Sequence, residues 1–435
     1  MPAGPTTLRG HSHPSRAPPG TGAPIRAGGC TVPVPWCGAW AACANGTIRG
    51  RIDRVDDVET ALLAATRRVA AEVLAPAAAA VDAGWVPRSH LAALAAAGVF
   101  GVHAPRSAGG AQASPAVARA VDETLAGADL ATWFVQTQHH HPVRLLAAAG
   151  GRGDLVADLA AGRRVAGIAL AHLRRWPDRP VRAERAGAGW RLDGVAPWYT
   201  GWGLNDVALV GAATPEGDVV LALVPARAGD GMTPSEPLRT AAVQAARTVT
   251  LTFEGYWVAA DAVVAVRPHA AWAAADRDAT ANVQPAVLGL AGAALRRLAR
   301  RGEERDEPEA VRAAARIGAQ VDAVRAEAYR LLDEVPAGQE RARRLELRAA
   351  AQRLLVDATT ALVLAGAGGS MAAGAPAQRM AREALFLLVQ AQTADARAVA
   401  LHAWPDRPDR PDRPDRPDRP DRPDRSAGAG PDQPV

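Results

Sequence analysis

The chain has 435 residues, 49% apolar and 22% charged, enough for a sizeable core and two or three structural units. All 50 basic residues are arginine, which excludes lysine-anchored Schiff-base chemistry and lysine-dependent phosphate loops. The net charge of +5 is small for this length, and acids are interspersed with the arginines, so no nucleic-acid partner is expected.

The three cysteines, Cys30, Cys37 and Cys43, are spaced unlike a zinc knuckle or a redox pair. The first 50 residues lack the charged start and apolar core of a secretory signal, and no long charge-free apolar run predicts a membrane span. The expectation is a cytoplasmic protein. Residues 1–52 are rich in Pro, Gly, Thr and Arg without a period, and read as a disordered extension. Residues 404–435 hold seven Pro-Asp-Arg copies, from Pro405 to Arg425, and read as an extended tail, because proline at every third position excludes helix.

Three blocks lie between these ends. Residues 53–165 are predicted helical; Val55, Val58, Leu62, Leu63, Val69 and Val73 fall near a helical period, with Pro76 shortly after. Residues 166–266 are predicted to form a small β-domain. Gly189–Gly194 alternates before an expected turn, Val207–Gly211 and Val219–Val224 flank the Pro215–Asp218 turn, and Thr248–Phe253 alternates again. Residues 267–403 return to helix, with candidates at 278–301, 309–333, 339–366 and 376–402. The predicted class is α+β: an N-terminal helical domain, a central small β-barrel or sandwich, and a C-terminal four-helix bundle.

Four anchors in this order carry a family resemblance. They are Leu94–Gly101 with Pro105 and Gly109-Gly110; Gly189–Thr200; Val249–Val258; and Gly368-Gly369 with Arg382-Glu383-Ala384 downstream. Together they resemble the acyl-CoA dehydrogenase superfamily over roughly residues 55–403. The resemblance implies FAD, with the Trp198 indole beside the flavin ring and the Thr200 hydroxyl donating toward it. It also implies cofactor roles for Leu170, at the lead-in to the flavin loop, for Gly368 and Gly369, where a partner subunit's adenosine approaches, and for Thr393. A homodimer or homotetramer and an acyl-CoA or other acyl thioester substrate follow from the same resemblance.

The departures concern the reaction. Abstraction of an α-proton needs a carboxylate, and the family position for it falls on Ala391 within Gln390-Ala391-Gln392-Thr393. Asp278, at the start of the last helical block, is the candidate replacement, although an acid in a first helical turn also simply favours the helix dipole. The family's T-E-P-x-x-G-S-D loop is replaced by Ala171-His172-Leu173-Arg174-Arg175. His139-His140-His141 cannot converge on one metal, since consecutive helical residues point about 100° apart. His140 (or His139) is a candidate proton donor or base, because the family's corresponding helix borders the substrate cleft. Three functions are open: an acyl thioester CH–CH oxidoreductase, a flavin monooxygenase that needs no α-carbon base, and a silent partner subunit.

Overall fold

The computed structural model describes residues 49–178 and 180–404, with side chains from residue 57 onward. The readings made for residues 1–48 and for the Pro-Asp-Arg copies lie outside the described residues.

The N-terminal helices are α1 (Arg49–Val69), α2 (Ala75–Ala83), α3 (Arg88–Ala96), α4 (Pro115–Ala128), α5 (Leu130–Thr137), α6 (His140–Ala149) and α7 (Gly153–Ala160). Pro76 does not stop the first helix. A wider turn at Ala70–Leu74, in which the Ala75 amide reaches back five residues to the Ala70 carbonyl, joins α1 to α2. Such a turn relieves the clash of a proline ring with the carbonyl four residues earlier and the loss of its donor.

The central sheet contains β1 (Ala166–Ala169), β2 (Arg182–Ala186), β3 (Gly189–Tyr199), β4 (Val207–Ala213), β5 (Asp218–Pro225), β6 (Met232–Pro234), β7 (Val249–Val258) and β8 (Val263–Pro268). Its order is β6-β7-β3-β2-β4-β5-β8, with β1 parallel to β4. β4 and β5 are buried on both faces, as their unbroken apolar runs require. Ala208, Val210 and Ala212 enter one core with Trp190, Leu192 and Phe253, whereas Leu209 and Leu221 enter another with Leu146, Leu159 and Trp272. The expected turn at Asp193-Gly194 is absent. β3 runs straight through it as a bulge, with Gly194 at φ +131, and the hairpin turn falls earlier, between β2 and β3.

The C-terminal helices are α8 (His269–Thr280), α9 (Pro285–Arg305), α10 (Pro308–Glu334), α11 (Arg341–Gly366), α12 (Pro376–Val389) and α13 (Ala394–His402). The helix expected over 376–402 is therefore two helices, broken at Gln390–Thr393, where Ala391 takes φ +50. One core, from Leu74 and Leu125 to Leu288, Leu355 and Leu387, spans both helical blocks. α4 meets α9 closely because each has a glycine at the contact. A Cβ on Gly289 would lie 2.2 Å from the Glu123 carbonyl oxygen, and one on Gly127 would lie 2.8 Å from the Gly289 carbonyl oxygen. The segment Arg341–Met371 is long and apolar enough to cross a membrane, yet buried Arg344, Arg348 and Gln352 lie along it and bind neighbouring carbonyls.

Candidate functional site

β3 ends in a second irregularity, between Ala196 and Tyr199, that places Trp198 at φ +65. The bulge turns the indole out of the strand's alternation, and Trp198 is 56% exposed. The two residues that follow it, Tyr199 and Thr200, are buried. The Thr200 hydroxyl does not project outward; it pairs with the Thr248 hydroxyl at 3.2 Å. Asn205 locks the strand exit, donating to the Tyr199 hydroxyl at 3.1 Å and to the Thr200 carbonyl at 2.8 Å. Gly167 in β1 makes room for that lock, since a Cβ there would stand 2.3 Å from Asn205 Nδ2.

A cavity of about 920 Å³ opens beside this strand, lined by Val195 and Pro197 of β3, and by His172, Arg175, Trp176 and Arg182. Its volume falls in the range of small-molecule pockets, roughly 300–1,000 Å³. One wall is the short 3-10 helix Ala171–Arg175, which follows directly on Leu170. Leu170 itself is half-buried in the second sheet core. Gly211 leaves space for it, because a Cβ there would lie 2.8 Å from Leu170 Cδ2. His172 donates from Nε2 to the Gly211 carbonyl at 2.8 Å, and burial pushes its pKa down to about 4, so the ring is neutral.

The turn Gln390–Thr393 is held from α11. Arg348 donates through Nη2 to the carbonyls of Gln390 (3.1 Å) and Ala391 (3.3 Å), and through Nη1 to the carbonyl of Thr280. Burial, followed by the nearby Arg174, lowers its pKa to about 10. Gln284 adds a 2.6 Å bond to the Gln390 side chain. No carboxylate stands at Ala391. Asp278 on α8 lies 3.5 Å from Arg341, whose other guanidinium nitrogen binds Asp395; Thr393 in turn donates to Asp395 at 2.5 Å. The fold thus brings Asp278 and Thr393 into one ion-paired group, in which Asp278 already faces a cation.

His140 is somewhere else. It lies 5% exposed among the N-terminal helices, where Nε2 contacts Gln136 at 3.0 Å and stands 3.9 Å from Asp122, while Nδ1 has no partner. Burial and the neighbouring His103 hold it well below the ordinary imidazole pKa. His139 is engaged on both sides, by the Leu159 carbonyl and the Ala166 amide. Gly368 and Gly369 sit in the short helix Ala367–Met371, exposed, with open space where each Cβ would be. Sequence inspection missed Arg348. Its signal was the polar series Arg344, Arg348, Gln352 at four-residue spacing on a helix otherwise rich in apolar residues.

Residues 56–152 match the family described as acyl-CoA dehydrogenase, N-terminal domain. Across the solved structures, the chain is similar to butyryl-CoA dehydrogenase from Megasphaera elsdenii, with TM-score 0.69, 17% identity, and coverage of 80% of this chain and 98% of that one. The fold is that of the acyl-CoA dehydrogenases. A glutaryl-CoA dehydrogenase from Mycobacterium smegmatis in complex with FADH2 aligns with TM-score 0.68, 19% identity, and coverage of 80% and 95%. A structure titled PigA with FAD and proline aligns with TM-score 0.68, 14% identity, and coverage of 80% and 97%. No curated protein matches the sequence. The acyl-CoA dehydrogenase resemblance of the sequence and the α+β architecture are thus borne out.

Proposed function

We propose that the protein is an FAD-dependent oxidoreductase of acyl-CoA dehydrogenase type acting on an acyl thioester. The observation that carries this reading is the exposed Trp198 indole at the end of β3, the strand whose Val195 and Pro197 line a cavity of about 920 Å³, on this fold. Trp198 and the backbone of Leu170 and Ala171 would hold the ring, and Gly368-Gly369 would admit an adenosine from a second copy. FAD supplies a two-electron acceptor when bound. Thr200 would act through its carbonyl lock and its pairing with Thr248 rather than by an outward hydroxyl. Arg175 and Arg182, which line the cavity together with Glu184 and Asp193, would meet the anionic part of a thioester carrier. The chain's division at residues 53–165, 166–266 and 267–403 and a cytoplasmic location belong to the same reading. A homodimer or homotetramer is supported by the large apolar side chains exposed on the C-terminal helices, Leu364, Met371, Leu385, Val389 and Leu401.

A second reading, a flavin monooxygenase, is favoured by one observation. Ala391 occupies the turn where a base would stand, and Asp278 is paired with Arg341. Oxygen chemistry at a flavin needs no base for an α-carbon proton. The purified protein, loaded with FAD and titrated anaerobically with an acyl-CoA panel, separates the readings. Bleaching by a thioester supports the dehydrogenase. Bleaching only by an external reductant, with fast reoxidation in air, supports the monooxygenase. A protein that neither carries nor takes up flavin leaves the silent partner subunit.

A further inference from the structure

The cavity along β3 has a direction as well as a volume. Asp193, Val195 and Pro197 line it from β3, and Arg182 and Glu184 line it from β2. Arg182 stands opposite Asp193 in register, and Glu184 opposite Arg191, so both β2 charges lie toward the end away from Trp198. Arg175, from the short helix Ala171–Arg175, lines the same cavity. Asp193 is tied down there, its Oδ1 accepting from the Gly255 amide at 2.7 Å. Asp193 to Trp198 is a run of extended strand about 16 Å long at the rise of a β-strand.

His172 adds a polar contact in the wall. Its Nε2 donates to the Gly211 carbonyl, so Nδ1 holds a lone pair, and this buried atom has no partner among the described residues. A ligand that satisfies it brings an N–H or O–H donor. Other parts of the wall are apolar and stiff. Trp176 stacks on His269 with ring centroids 5.0 Å apart, and Pro177, Pro180 and Pro197 stand near it in the lining.

An anion at one end, a donor for His172, apolar links between and a thioester beside Trp198 are the parts of a phosphopantetheine arm. Its two amides supply the donors, and extended it reaches about 14 Å from phosphate to sulfur, at the reach per bond of an extended chain. CoA carries the same arm but continues into a second phosphate and a nucleotide bearing a third. Past Arg182 the face offers Glu184 with Arg191 across from it, one charge of each sign. No excess of positive charge gathers there for a polyanion. A single phosphodiester, as on the arm of a carrier protein, is what Arg175 and Arg182 can match beside Glu184 and Asp193. β2 ends two residues beyond Glu184, at the exposed Gly187-Ala188 turn, so this end opens to solvent and leaves room for a protein.

We propose that the cavity takes an acyl thioester borne on the phosphopantetheine arm of a carrier protein, and that the arm alone is recognised. The phosphate meets Arg182 and Arg175, an amide N–H meets His172 Nδ1, and the thioester lies toward Trp198. This substrate rests on the acyl-thioester reading and narrows it to one carrier.

The test is calorimetric titration of the full-length protein with pantetheine phosphate, CoA and adenosine bisphosphate, alongside FAD uptake by the same sample. CoA is expected to bind no more than about threefold tighter than pantetheine phosphate, and adenosine bisphosphate to displace neither. Arg182→Gln, at an exposed strand position, weakens pantetheine phosphate about tenfold through the lost charge-assisted bond. His172→Phe weakens it as well, and Arg182→Gln decides alone if that variant fails to fold. CoA bound more than about threefold tighter, displacement by adenosine bisphosphate, no binding of pantetheine phosphate, or an affinity that survives Arg182→Gln overturns the proposal. Pantetheine phosphate bound by a protein that takes up no FAD sinks the oxidoreductase reading and leaves the arm site standing. FAD uptake with CoA preferred does the reverse.

Discussion

Nη2 of Arg348 stands 3.3 Å from the carbonyl oxygen of Ala391, so a buried cation closes the Gln390–Thr393 turn. Truncating it removes a donor from three carbonyls, those of Thr280, Gln390 and Ala391. Arg348→Met is expected to lower unfolding stability by about 3 kcal/mol through the lost bonds to buried acceptors. Arg348→Lys recovers only part of this, because an ammonium cannot span the same fork. Urea unfolding of the two variants checks the order; equal stability of Met and wild type would sink the role given to Arg348.

Ala391 already adopts φ +50, so a glutamate there adds no backbone strain beyond what alanine bears. If the missing base is what limits thioester oxidation, Ala391→Glu raises the anaerobic rate of flavin reduction by an acyl-CoA at least about 100-fold. Stopped-flow absorbance measures it. An unchanged rate would show that the cleft is not built for α-proton abstraction.

Trp198 and Thr200 are two residues apart and should respond oppositely. Trp198 is exposed, so Trp198→Ala should change stability by less than about 0.5 kcal/mol while weakening flavin binding up to about tenfold. Thr200→Val leaves the buried Thr248 hydroxyl without its 3.2 Å partner and should cost about 1–2 kcal/mol. Thermal unfolding and flavin titration separate the two effects. A Trp198 variant with full flavin affinity would remove the anchor from the proposed function.

The close approach of α4 and α9 has no slack. A Cβ at Gly289 meets backbone, the Glu123 carbonyl oxygen at 2.2 Å, and not a movable side-chain end. Gly289→Ala should destabilise by about 3 kcal/mol, at the upper end of overpacking costs. Gly369→Ala, in open space, should be silent in the monomer. Chemical denaturation of the pair checks the contrast.

Acid should destabilise this protein early. Burial lowers His103, His141 and His172 to about 4 and His139 to about 3, and also lowers His90 and His140. Each binds a proton in the unfolded chain below its ordinary value of 6.5 but not in the fold, so its contribution is lost as pH falls from there toward 4. Asp122, raised to about 6, Glu383, raised to about 7, and Asp129, also raised, act in the opposite sense. Six imidazoles outweigh three carboxyls, and unfolding near pH 5 should take up about three protons. The slope of stability against pH gives that number; a flat profile between about pH 7 and 5 contradicts the buried neutral imidazoles.

Much of the architecture was legible in the order of letters. Apolar spacing in the outer blocks and the unbroken apolar run at Val219–Val224 are local signals, and they report helix and strand wherever the chain lies. The letters also fixed that position 391 carries a methyl group and that 198 carries an indole. The tertiary structure decided what those facts mean. It turned Thr200 inward to Thr248, paired Asp278 with Arg341 and caged His140 beside Asp122. It kept Pro76 inside a helix by widening one turn, and ran β3 through Asp193-Gly194 as a bulge. The reason is the same in each case. A polar side chain's protonation, direction and use depend on desolvation and on partners far away in sequence, which no local period encodes.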